Sequence, residues 1–323
     1  MTPWPTRHPL ALLPTALHPM DRLSAVLGGP RLWIKRDDQT GLGMGGNKTR
    51  KLEFLLGAAL DAGADALITA GAAQSNHCRQ TTAAAASVGL ECHLVLGGQE
   101  PERFTGNLLL DKLFGAHIHW AGAERKGESI HALAKTLRGA GKTPAVIPYG
   151  GSNAVGALGY VAAMEELASQ LHAAQCAPQA IVFASSSGGT HAGMLVGAST
   201  HGIDANIIGV HIDKADADAL GTHIDALCAE LAAYTGPAAG PHRVVLDERM
   251  LKAAYGELTE AEHEAIALLA RTEGILLDPV YTGRAMAGLI SMVRGGEFEA
   301  NQDVLFWHTG GTPALFHYGD TLL

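Results

Sequence analysis

The sequence predicts an α/β protein of parallel strands joined by crossover helices. Three observations carry that expectation. Short runs rich in Val, Ile and aromatic residues alternate with Ala/Leu/Glu-rich segments of helical length along almost the whole chain. Several of those runs are apolar without alternation, as strands covered on both faces must be. Glycine makes up 40 of the 323 residues with no Gly-X-Y period, against a usual share of about 7%. The excess goes to tight turns and to close approach of backbone.

In chain order, the expected strands are 32–38, 65–70, 91–98, 117–122, 145–150, 180–185, 206–212, 242–247 and 304–311. Helices are expected between them, among others over 48–62, 75–88, 157–174 and 259–273. Their ends carry matching chemistry. Asn47 stands where an N-cap belongs and Gly63 where a helix stops. Thr259 followed by Glu262 has capping-box spacing, and EAIALLAR (264–271) then supplies a helical apolar face. No internal repeat or charge block marks a domain boundary. The Gly-rich segments 41–46 and 150–156 are the best places for the chain to cross between lobes.

Composition excludes several classes. Lys and Arg number 23 against 32 Asp and Glu, a net charge of −9, so the clustered positive charge that nucleic acid requires is missing. With 47% hydrophobic and 17% charged residues the chain is not globally disordered. No apolar run reaches the roughly 18 residues of a membrane span. The N-terminal stretch is broken by prolines and lacks a basic region, so no signal peptide is expected. Cys78, Cys92, Cys176 and Cys228 form no CxxC pair, which argues against a disulfide framework or structural zinc and for a cytoplasmic protein with free thiols. The 16 histidines show no HExxH or similar spacing, and no metal is expected.

Five segments concentrate chemistry. GLGMGG (41–46) fits G-x-G-x-x-G through Gly41, Gly43 and Gly46, but the next strand ends in Gly71-Ala72-Ala73, without the acid a dinucleotide site needs. Asn47 also stands where a Walker loop needs glycine before its lysine. Beyond the glycines, Lys48 and Lys51 share a face in the first turn of a helix, where the dipole disfavours cations. Either an anion is held there or a lysine is used chemically; two solvated lysines are the plain alternative. In AGAAQSNHCRQT (70–81) a strand runs into Gln74 to His77, whose free N–H groups suit a carboxylate, although Ser75 and Asn76 also read as ordinary N-caps. In ASSSGGTHAG (184–193) hydroxyls and amides of small residues suit a phosphate. HTGGTPALF (308–316) closes the last long strand with a hydroxyl and two glycines. LLDPVYTGRAM (276–286), taken alone, is a loop whose Tyr281 packs on the core. The lysine, carboxylate seat and phosphate cup all fall at strand C-termini, where open α/β sheets bind ligands. A lysine with a phosphate cup suggests pyridoxal 5'-phosphate (PLP), whose aldehyde condenses with lysine.

GGNKTRKLEF, QSNHCRQT, SSGGTHAGM, DPVYTGRAM and HTGG resemble, in order and spacing, the family of D-cysteine desulfhydrases and 1-aminocyclopropane-1-carboxylate (ACC) deaminases, which includes L-cysteate sulfo-lyase. The likeness runs from about Leu10 to Tyr318. It implies a PLP enzyme of fold type II, with two open, twisted, mostly parallel sheets flanked by helices. A large domain (1–50 plus 155–323) and a small one (51–154) would enclose the active site. The resemblance gives Lys48 the covalent link to the cofactor and the proton shuttle, and Lys51 a contact with its phosphate. Ser186, Ser187, Gly188, Gly189 and Thr190 would form the phosphate cup, Asn76 would bond the phenolic oxygen, and Thr309 would face the pyridine nitrogen. Ser75, with the N–H groups of Asn76 and His77, would hold the substrate carboxylate. Tyr281 and Tyr255 would flank the substrate and assist proton transfer or departure of the leaving group. A small amino-acid substrate and a homodimer are implied as well.

Two departures bear on the reaction. ACC deaminases carry glutamate after the DPVY tyrosine, where this chain has Thr282, and HLGG where it has HTGG. A neutral hydroxyl at the pyridine nitrogen makes a weaker electron sink and suits prompt loss of a β group over ring opening. The expected reaction is therefore α,β-elimination: D-cysteine to pyruvate, hydrogen sulfide and ammonia. L-Cysteate giving sulfite is the first alternative, ACC deamination the next, and a non-catalytic PLP-binding protein the last.

Overall fold

The computed structural model describes residues 1–124, 126–213, 217–237, 243–251 and 256–322. The chain opens with β1 (Leu17–Pro19), α1 (Asp21–Leu27), β2 (Arg31–Arg36) and α2 (Lys48–Asp61). It continues through β3 (Ala66–Ala72), α3 (Asn76–Ser87), β4 (Glu91–Gly97), α4 (Gly106–Leu113), β5 (His117–Trp120), α5 (Ile130–Gly139) and β6 (Pro144–Val146). The rest comprises α6 (Ala154–Ala174), β7 (Pro178–Ser185), α7 (Gly189–His201), β8 (Asn206–His211), α8 (Ala217–Thr235), β9 (Val245–Asp247), α9 (Glu260–Glu273), α10 (Thr282–Arg294) and β10 (Asp303–His308).

Two sheets result. One has the order β1-β2-β10-β7-β8-β9 and the other β5-β4-β3-β6. Every ladder is parallel except β1 against β2. The alternation of strand side chains explains the continuous apolar runs. Along β10, Val304 and Phe306 enter one core with α9 and α10, whereas Leu305 and Trp307 enter another with α6, α7 and α8. Among the described residues no helix is long and apolar enough to cross a membrane.

All nine expected strands form, several with shorter ends. The 145–150 strand stops at Val146, because Pro148 has no N–H for the ladder, and a 3-10 turn over Tyr149–Gly151 follows. The antiparallel β1 was not among the expected strands; at three residues it is too short to show a period. Thr259 and Glu262 form the expected capping box, Ser75 caps α3 through the Cys78 N–H, and Gly63 closes α2 with a positive φ. Asn47 is a correction. Its side chain makes no cap bond; it donates to the Thr190 hydroxyl at 3.1 Å and so ties the start of α2 to α7.

A buried ionic cluster fixes α2 in place. Arg50 donates to both oxygens of Asp37 at 2.8 and 2.9 Å and to both oxygens of Glu166 at 2.9 and 3.0 Å. Tyr160 and Trp307 donate to Asp37 as well, at 2.6 and 2.8 Å. Burial favours the neutral acid of Asp37, but Arg50 outweighs it and holds the carboxyl below its usual range. The α6 backbone approaches α2 closely: a Cβ on Gly159 would stand 2.2 Å from the Arg50 carbonyl oxygen. Replacing Arg50 with methionine strands a buried carboxylate. Chemical denaturation of cofactor-free protein should show a loss of about 3–5 kcal/mol.

Candidate active site

Four strand ends and the start of α2 enclose one cleft. Its lining includes Asn47, Lys48, Ser75, Asn76, His77, Tyr149, Gly150, Ser185, Ser186, Ser187, Gly188, Thr190, His191, Tyr281 and Thr309.

Lys48 and Lys51 lie one turn apart on α2 and both donate to the Gly150 carbonyl, at 3.1 and 3.2 Å. Lys51 also donates to the Ser152 hydroxyl at 3.1 Å. No carboxylate pairs with either among the described residues. Burial pushes the Lys48 amine down to about 8, and a hydrogen bond with Lys51 offsets it only in part. Burial and then the charge of Lys48 pull Lys51 well below the lysine range. The result is two lysine amines, Lys51 buried and Lys48 partly so, at the positive end of a helix dipole, with no carboxylate beside them among the described residues.

The turn between β7 and α7 forms the wall facing them. Gly188 has φ +81°, a left-handed conformation open to glycine. The Ser187 hydroxyl lies 2.8 Å from that of Ser152. A Cβ on Gly150 would stand 2.2 Å from Ser187 Oγ and 3.6 Å from Lys48 Nζ, so glycine keeps this cradle open. Ser186, Ser187, Gly188 and Thr190 line the cleft, and the Gly189 N–H donates to Ser152 Oγ at 3.2 Å. Behind the turn, burial lowers His191 to about 4, and its Nδ1 meets Ser185 Oγ at 3.2 Å.

On the third side, the first-turn amides of Asn76 and His77 open α3 and have no intrahelical acceptor. The Asn76 side-chain oxygen accepts from Asn107 at 2.7 Å, which leaves its amide nitrogen to donate elsewhere. The Thr69 hydroxyl gives its single proton to the Ile147 carbonyl at 2.9 Å. His77 Nε2, 2.8 Å from that hydroxyl, must therefore be the protonated nitrogen. Burial, then Lys48 and Lys51, hold His77 well below the histidine range, so the ring is neutral.

Tyr281 and Thr309 complete the lining. Tyr281 thus reaches the cleft and is not only core packing. Thr309 also fixes α2, its carbonyl accepting the Asn47 N–H at 2.9 Å. Thr282 stands apart: fully buried, its hydroxyl donates to Asp278 at 2.8 Å and accepts the Asp278 N–H at 2.8 Å. It is not among the lining residues. The neutral hydroxyl expected at the ring nitrogen is therefore available from Thr309 and not from Thr282. Tyr255 lies outside the described residues. Sequence reading also passed over Tyr149, Gly150, Ser152 and Asn107 as site residues. GGSN (150–153) after a strand was the one available signal for the middle two.

Two lysines without a carboxylate partner, a hydroxyl-lined turn, first-turn amides and a glycine-kept cradle are a donor set for a phosphate and a carboxylate side by side. PLP fits these residues. The sequence matches the family model described as pyridoxal-phosphate dependent enzyme over residues 9–310. It is 44% identical over 310 residues to a D-cysteine desulfhydrase of Yersinia enterocolitica, spanning 94% of this chain and 93% of that one. It is 45% identical over 311 residues to a D-cysteine desulfhydrase of Klebsiella pneumoniae, spanning 94% of both chains. A solved structure described as an ACC deaminase homologue superposes with a TM-score of 0.91 at 39% identity, covering 99% of this chain and 95% of that one. The chain belongs to the fold type II family of PLP-dependent enzymes, in the branch of D-cysteine desulfhydrases and ACC deaminases. Its cofactor is PLP.

The lysine pair makes a prediction about cofactor-free protein. A lysine whose folded value is depressed costs stability fully below that value, and the cost fades by its unfolded value near 10.5. Lys48→Met should therefore stabilise cofactor-free protein by about 3 kcal/mol at pH 7, with the gain shrinking between pH 8 and 10.5. Denaturant titrations across that range check it; a gain that is absent or grows with pH contradicts it.

Proposed function

We propose that this chain is a D-cysteine desulfhydrase, a PLP-dependent carbon–sulfur lyase. The reaction is D-cysteine plus water to pyruvate, hydrogen sulfide and ammonia. The observation that carries this reading is near full-length identity of 44 and 45% to two enzymes of that name. The lining supports it over the L-cysteate alternative. A sulfonate calls for additional cationic donors, and Arg79 is spent on Asn107 and the Gly45 carbonyl, outside the lining.

When bound, PLP supplies a sink for the electron pair left at Cα. Around it, Ser75 and the Asn76 and His77 amides hold the substrate carboxylate and set which Cα bond faces Lys48. The Lys48 amine, with its basicity lowered by burial, takes the Cα proton. Tyr281 gives a proton to the departing sulfur. Lys51, Ser186, Ser187, Gly188 and Thr190 bind and orient the phosphate, while the Gly189 N–H holds Ser152 Oγ beside them. Asn76, its oxygen held by Asn107, donates to the phenolic oxygen, and Thr309 offers a neutral hydroxyl to the ring nitrogen. The proposal extends to a cytoplasmic homodimer with its site between a large domain (1–50 plus 155–323) and a small one (51–154). All four cysteines are free and buried, which supports a reducing compartment. The separate sheet of β3 to β6 supports the division.

Parallel assays with D-cysteine, L-cysteate and ACC test the reading. Pyruvate and sulfide should form from D-cysteine in large excess over either other product. Sulfite from L-cysteate or 2-oxobutanoate from ACC as the main activity overturns it. Lys48→Ala should lose turnover together with the absorbance of lysine-bound cofactor, and Tyr281→Phe should lower kcat about 10²–10⁴-fold while cofactor binding is retained.

A further inference from the structure

A second cluster of chemistry-bearing side chains lies on the four-stranded sheet, toward the N-terminal ends of β4 and β5. The cleft residues Ser75 to His77 instead follow the C-terminal end of β3. β5 is the edge strand, paired to β4 through His117 to Trp120 against His93 to Leu96. Strand alternation puts His117 and His119 on one face, with Glu91 and His93 beside them on β4. His93 and His117 are direct ladder partners with rings 4.7 Å apart at 18°. One ligand atom each from Glu91, His93 and His117 lies within 4.8 Å of the others.

Two details separate this cluster from a solvated polar face. First, Glu91 Oε2 and His93 Nε2 are 3.4 Å apart. That is long for a charge-assisted hydrogen bond, which runs about 2.7–2.9 Å. It matches the edge of a coordination tetrahedron, roughly 3.3 Å for bonds of about 2.0–2.1 Å. Second, the other nitrogen of the buried His93 meets His119 Nε2 at 3.1 Å. A metal-binding histidine commonly has this support, its remaining N–H held by an outer acceptor. Glu91 and His117 are exposed enough to swing inward by the small distance required. Lys142 pairs with the other Glu91 oxygen at 2.5 Å and opposes a cation there.

We propose that Glu91, His93 and His117 form a binding site for a divalent transition-metal ion of the zinc–nickel–copper class, with His119 positioning His93. Two imidazole nitrogens and one carboxylate oxygen are the ligand set such ions prefer, and an exposed fourth position is left for water. The ion clips the edge strand β5 to β4. It stabilises the fold and takes no part in the cleft's chemistry.

Tag-free, cofactor-loaded protein titrated calorimetrically with zinc tests this. Wild type should bind one ion per chain at this site. His117→Ala should weaken that binding about 100-fold, and His119→Ala about tenfold. Lys142→Gln should tighten it. Zinc should raise the melting temperature of wild type and not of His117→Ala, and turnover should be equal in the two. His117 and Glu91 are surface positions, so these variants fold even if His93→Ala does not. Unchanged zinc affinity in both His117→Ala and Glu91→Gln means an adventitious ion only and overturns the proposal. A zinc response lost from wild type on blocking its thiols overturns it too.

Discussion

Two lysine amines without a carboxylate partner among the described residues set the terms for the rest of the site. A charge taken out of water is costly unless it is paired, and here Lys48 and Lys51 are placed together at the helix end whose dipole already repels them. Folding tolerates this because α2 is anchored elsewhere. Arg50, between the two lysines in sequence, points the opposite way into Asp37 and Glu166, and Tyr160 and Trp307 close that cluster. Lys35 pairs with Glu166 as well, so the ionic core compensates its own charges. The cleft does not, and its lysines are left facing a carbonyl and a hydroxyl.

The other walls follow the same logic. The β7–α7 turn offers hydroxyls and amides and no acid. No carboxylate appears among the described residues that line the cleft. Asp278 lies behind it, burial raising its acid while amides of Val280, Tyr281 and Thr282 bond the carboxylate. His77 is kept neutral by burial and by the lysines, and its tautomer is set by the Thr69 hydroxyl. The site is thus a positively biased, neutral-donor pocket. Such a pocket suits an anionic cofactor and an amino-acid carboxylate.

The elements legible in the sequence were those with strong periodic or punctuating signals. Continuous apolar runs marked the parallel strands, and Thr259, Glu262 and Gly63 marked helix ends where the structure has them. The lysine pair was legible because cations at a helix start contradict the dipole. What stayed hidden depends on pairing across the fold. Asn47 looks like a cap in sequence but faces Thr190, 143 residues away. Ser152 and Asn107 act only through Lys51, Ser187 and Asn76, none of them sequence neighbours. Thr282 and Thr309 both present a hydroxyl in a suggestive motif, and only packing against Asp278 shows which one is already used. The Glu91–His93–His117 group has no ligand spacing in the sequence because its residues come from two strands in register.

The central claim is that the start of α2 is built to receive a phosphate dianion. Cofactor-free protein titrated with pyridoxal phosphate and, separately, with pyridoxal measures it most directly. The account predicts that the phosphorylated form binds about 100-fold tighter or more, as several charge-assisted hydrogen bonds require. It also predicts that Lys51→Met erases most of that difference. Equal affinities for the two compounds, or a preference that survives Lys51→Met intact, would contradict it.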